Sequence, residues 1–176
     1  MKYLSFIKKS QTHTHTTKIS SCASKILLIL ILMAAGSFTH AQTACNNCPG
    51  TVYTTVNSST MGNLLTNAKF CITNQLIVDA DLTLDKCILL MSAGASIVIT
   101  GSNKLKITNN TYITSCGYGN GTMWQGIHVT SVNLNNFSKL EISNGAIIED
   151  AITAVYTESQ DAYCEIKLDN AHFNRN

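Results

Sequence analysis

Leu105-Lys106-Ile107-Thr108-Asn109 and Leu140-Glu141-Ile142-Ser143-Asn144 are two versions of one phrase, and Ile166-Lys167-Leu168-Asp169-Asn170 is a third. In each, two aliphatic residues flank a charged one, and an Asn stands four residues after the first aliphatic. A period of two puts the aliphatics on one face of an extended strand and the Lys or Glu on the other. A fourth version, Leu82-Thr83-Leu84-Asp85, has Lys86 where the Asn would be. An apolar residue follows each Asn three positions on, at Tyr112, Ile147 and Phe173, and Cys87 to Met91 supplies the equivalent second strand after Lys86.

The four phrases begin 23, 35 and 26 residues apart. This spacing predicts an all-β solenoid in which alternating aliphatics share an interior and Asn, Gly and Ser form the corners. Asn suits such corners because it accepts left-handed backbone angles and hydrogen-bonds along a stack. The longest interval is assigned to a loop from Ser115 to Asn120, marked by Gly117, Gly119 and the adjoining Gly121. One earlier segment reads differently. Met61, Leu64, Leu65 and Ala68 have helical spacing behind the caps Ser58, Ser59 and Thr60, which predicts a short N-terminal capping helix, although Gly62, Asn63 and Thr66 are poor helix formers.

Before these phrases the chain has the parts of an export signal. Lys2, Lys8, Lys9, Lys18 and Lys25 form a basic stretch without an acid, Ile26 to Ala35 is apolar, and Thr39 and Ala41 suit cleavage before Gln42. Ten strongly apolar residues are too few for a bilayer core that needs about 20, so no stable transmembrane anchor is expected. The organisation expected is a cleavable signal peptide over 1–41, a cap or linker over 42–74, and β-coils over 75–176. His13 and His15 fall in the leader and are discarded as ligands. Five of the twelve basic residues leave with the signal and all ten acids stay, so the mature chain carries a net charge near −3. With Arg175 as its one arginine, it lacks the clustered cations that nucleic-acid binding requires.

Six cysteines remain after the leader: Cys45, Cys48, Cys71, Cys87, Cys116 and Cys164. An even number in an exported chain points to disulfides, and all six are candidates. Six cysteines allow 15 pairings, among which the spacing of Cys71 and Cys87 suggests a bond between consecutive layers. Cys45-Asn46-Asn47-Cys48 reads as a stapled loop ahead of Pro49-Gly50, with a redox pair or half a zinc site as its alternatives.

The pattern resembles exported right-handed parallel β-helix proteins of the pectin-lyase-like superfold, particularly large surface proteins of the Bacteroidetes type. The residues carrying the resemblance are the Ala41-Gln42 junction, Met91 to Ile99, Cys116 to Ile127, and Asn144 to Ala151, within roughly residues 70 to 176. It implies a right-handed parallel β-helix, and it implies further coils and a C-terminal sorting domain beyond Asn176. On that expectation the last coil is incomplete and offers open strands for self-association. Trp124 follows the Gly-rich loop, where a sugar-stacking platform is one reading, and the resemblance makes it instead a packing residue at the start of a coil.

Polysaccharide cleavage is common on this superfold, and hydrolysis would need two carboxylates facing one groove. Asp79, Asp81 and Asp85 fall on one strand face, and Glu149, Asp150 and Asp161 are a second candidate group. Neither has a distinctive partner, so both read as solvated acids at strand and turn positions. Calcium at Asp79 and Asp81 lacks a supporting loop motif, and His128 and His172 lack a nucleophile. No catalytic residue, cofactor or metal is assigned. The expected function is a secreted or cell-surface β-helix segment, structural, adhesin-like or glycan-binding. The alternative is the N-terminal part of a polysaccharide lyase or glycoside hydrolase.

Overall fold

A computed structural model describes Cys45 and residues 48–117, 122–133, 136–157 and 163–176. The leader over 1–41, the tip of the loop over 118–121, and Asp161 lie outside the described residues. Within the unit Ala41–Asn176 the described chain is all-β apart from one four-residue helix.

The strands follow one another in a repeating order. β1 (Thr51–Asn57), α1 (Ser58–Met61) and β2 (Leu64–Thr66) open the series, and β3 (Lys69–Val78) and β4 (Leu82–Asp85) come next. β5 (Ile88–Met91), β6 (Ser96–Ile99) and β7 (Lys104–Thr108) form the following layer. β8 (Tyr112–Ser115) and β9 (Gly126–Val129) lead into β10 (Ser131–Asn133) and β11 (Asn136–Phe137), and then into β12 (Lys139–Ser143). β13 (Ile147–Glu149), β14 (Val155–Tyr156), β15 (Glu165–Asp169) and β16 (His172–Asn174) complete it.

Three parallel ladders result. The first joins β1 and the first half of β3 to β5, β8, β13 and β16. The second joins the second half of β3 to β6, β9 and β14. The third runs β2, β4, β7, β12, β15. Parallel neighbours require a long connection, and here each connection passes through the other two ladders. Among the described strands, only β10 and β11 pair antiparallel.

The repeated phrase lies in register in the third ladder: Leu82, Leu105, Leu140 and Ile166 stand opposite one another, as do Leu84, Ile107, Ile142 and Leu168. Their inward side chains are fully buried through Ile142, while Ile166 and Leu168 are exposed, as is Phe173 in the same position of the first ladder. At the corner that follows, Lys86, Asn109, Asn144 and Asn170 all adopt left-handed backbone angles, with φ between 52° and 53°. Lys86 therefore does the backbone work of an Asn without its side chain.

Three expectations change. The helix stops at Met61, where Gly62 turns to φ 88°, and Leu64–Thr66 is a strand whose Leu65 stands opposite Leu84. Asn67, at φ 54°, makes Leu65-Thr66-Asn67 a further copy of the phrase. Ladder pairing outweighs a helical spacing whose interior residues have weak propensity. Secondly, the long interval has two sources. Ten residues separate Ser115 from Gly126, against four between Met91 and Ser96, and the β10–β11 pair lengthens the next corner as well. Thirdly, Cys71 does not bond Cys87. The register sets Cys71 opposite Leu90, three residues past Cys87, and it bonds Cys48 instead.

The second bond joins Cys45 to Cys116, and Cys87 and Cys164 are free thiols. Cys45 and Cys48 thus take separate partners, in place of a stapled loop or a redox pair. The two bonds fasten Cys48 to β3 and Cys45 to the residue that follows β8.

Candidate functional site

The third ladder turns its alternate residues outward, and in β7, β12 and β15 the first two of these are charged. One column consists of Lys104, Lys139 and Glu165, and the next of Thr83, Lys106, Glu141 and Lys167. Glu141 accepts from both Lys104 and Lys106, the latter at 3.0 Å, and Glu165 pairs with Lys167 at 2.6 Å and Lys139 at 3.8 Å. These ammonium groups hold both carboxyls below the usual glutamate range, and Glu165 in turn raises Lys167. A shallow groove of about 130 Å³ lies among Lys104, Lys139, Leu140, Glu141, Glu165 and Lys167. Lys139 also lies 5.5 Å from the centre of the Phe137 ring.

The acids singled out in the sequence do other things. Asp79 accepts from the backbone N–H of Ser59 at 2.9 Å and from the side chains of Asn57, Ser58 and Ser59, fastening α1 to the end of β3. The Ser59 backbone bond is the largest reason that its pKa falls to about 2, with the side-chain donors adding to it against the opposing effect of burial. Asp81 accepts from the Lys104 backbone N–H at 2.8 Å, and Asp85 accepts from Asn109 Nδ2 at 3.0 Å. The three carboxylates are thus spread over separate layer-to-layer contacts.

Glu149 and Asp150 are buried, and both are held by Arg175. Its Nε donates to Asp150 Oδ1 at 2.7 Å, and its Nη2 lies 3.0 Å from Glu149 Oε2. Thr114 Oγ1 donates to Asp150 Oδ2 at 2.7 Å. The Arg175 and Thr114 bonds keep the Asp150 carboxyl below its ordinary range. Trp124 is fully buried, and its indole Nε1 donates to the Glu149 carbonyl at 2.8 Å, which makes it a core residue. His128 stacks on Tyr156 with ring centroids 4.7 Å apart, and His172 is exposed.

Among the described residues no group of three His, Cys, Asp or Glu side chains is arranged to hold a metal ion, and no helix is long and apolar enough to cross a membrane. The charged columns were not singled out from the sequence. Their signal is the middle residue of the phrase, which reads Lys106, Glu141 and Lys167 in successive copies. Comparison of the chain with protein-family models, with curated proteins and with solved structures found no match.

Proposed function

We propose that this chain is a segment of an exported right-handed parallel β-helix that acts at the cell surface as a glycan-binding and structural module. The supporting observation is the third ladder. Its five parallel strands hold Lys, Glu and Thr side chains outward in fixed columns, with a shallow groove among them. Strands about 4.8 Å apart form a periodic surface suited to a polymer with regularly spaced polar groups. The right hand follows from the strong preference of parallel crossover connections. Export rests on the leader pattern and is supported by the two cysteine pairs, which suit an oxidising compartment. Exposed Ile166, Leu168 and Phe173 support self-association through the β15–β16 edge.

Affinity electrophoresis against plant, algal and bacterial polysaccharides tests this reading, with parallel assays for new reducing ends and unsaturated products. The expected result is retardation without product. Product formation would favour the carbohydrate-active enzyme instead, and retardation by none of the polysaccharides would leave only the structural role.

A further inference from the structure

We infer that Lys104 and Lys139 form a subsite for a sulfate or carboxylate group carried on a glycan. This rests on the glycan-binding reading above and narrows its ligand to an anionic one. The ladder register sets Lys104 directly opposite Lys139 on the adjacent strand. Like charges in that position are destabilising. The neighbouring column avoids the conflict by alternating Lys106, Glu141 and Lys167. A local rule broken beside one that is kept marks a place where function outweighs stability.

The surrounding acids leave the two lysines unevenly compensated. Glu141 is shared between Lys104 and Lys106, and Glu165 is closer to Lys167 than to Lys139. Asp81 turns one oxygen to the Lys104 backbone N–H, and Asp85 and Asp169 belong to the column beside the corner. Both lysine side chains are more than a third exposed, at 40% and 45%. They border a groove of about 130 Å³. That is well below the roughly 300 Å³ at which pockets begin to enclose a small molecule. The groove thus suits one anionic group, with its sugar ring lying across the outer face. Sulfate and carboxylate both present several acceptor oxygens, which two ammonium groups on adjacent strands can share.

The test is affinity electrophoresis of the full chain against dextran sulfate, alginate and neutral dextran, repeated with added inorganic sulfate. The variants are Lys104→Gln with Lys139→Gln, Lys104→Arg with Lys139→Arg, and Lys69→Gln as a control on the first ladder. Dextran sulfate, alginate or both should retard the wild type more than neutral dextran, and which one does so identifies the anion. The Gln pair should weaken that binding roughly tenfold or more, while the Arg pair and Lys69→Gln keep it. Should the Gln pair lower the thermal midpoint, the salt dependence of wild-type binding decides instead, since charge contacts weaken with ionic strength. Equal retardation by neutral and anionic polymers, with no effect of the Gln pair, would overturn the subsite and leave the glycan reading standing. Retardation by no polymer would overturn both. Inorganic sulfate displacing the polymer at an equal concentration of sulfate groups would assign the lysines to the free anion and overturn the glycan link.

Discussion

Asn109 Nδ2 donates to Asp85 Oδ1 across 3.0 Å, so the corner of one layer is tied to the strand end of the layer before it. Asn144 repeats the tie by donating to Thr108 Oγ1 at 3.1 Å. These bonds join equivalent corners and give the Asn positions of the phrase a role beyond backbone conformation.

Lys86 occupies the same corner at φ 53° and has no amide to donate. Left-handed angles cost a residue with an ordinary side chain about 1 kcal/mol or more, and Asn relieves part of that. Lys86→Asn would also bring an amide toward Thr66, the residue opposite Asp85. The variant should be more stable by about 1 kcal/mol, read as a higher urea midpoint at unchanged slope.

Gly126 opens β9 at φ 110°, and a Cβ there would lie 1.7 Å from the Thr153 carbonyl oxygen. Gly126→Ala should therefore cost on the order of 2–4 kcal/mol through combined backbone strain and overlap. Gly62, at φ 88°, has nothing within 4 Å of the same built position. Gly62→Ala should show the backbone cost alone, and the difference between the two melting curves isolates the clash.

Asp79 gives the chain a defined acid response. Its folded pKa of about 2 lies below the unfolded carboxyl value near 3.9, so its stabilising contribution is complete above pH 4 and is lost as pH falls toward 2. Glu141, Asp150 and Glu165 are shifted in the same direction and add to the slope. Urea midpoints measured from pH 5 to pH 2 should fall in the wild type and fall less steeply in Asp79→Asn, whose midpoint should be lower at neutral pH.

The two cysteine pairs make unequal predictions. Cys48–Cys71 spans 23 residues and Cys45–Cys116 spans 71. On chain-entropy grounds, losing the longer closure through Cys116→Ser should cost about 1 kcal/mol more than losing the shorter one through Cys71→Ser. Alkylation of the native protein should reach Cys164 before Cys87, because Cys87 is fully buried and burial raises its thiol pKa.

The all-β class and the strands of the third ladder were legible wherever both faces of a strand were constrained at once. Leu105, Ile107 and Asn109 carry inward packing and a corner in five residues, and their ladder partners do the same. Leu65-Thr66-Asn67 escaped notice because Asn63 replaces its first aliphatic residue and Met61, Leu64, Leu65 and Ala68 imitate a helical face. The β10–β11 pair left no signal, since its strands are two and three residues long. At the candidate site the alternation of Lys and Glu was visible in the phrase. The pairing of Lys104 with Lys139 follows from the same alignment, since each directly precedes its phrase, but lies outside the five residues that define it. Disulfide pairing was illegible because Cys45 and Cys48, three residues apart, find partners 71 and 23 residues away, just after β8 and within β3.

The two disulfides also differ in when they can form. As the chain emerges from its N-terminus, Cys48 meets its partner after 23 further residues, whereas Cys45 must wait for 71. The native Cys45–Cys116 bond can close only once β8 has been made, so of the two it is the later to become possible.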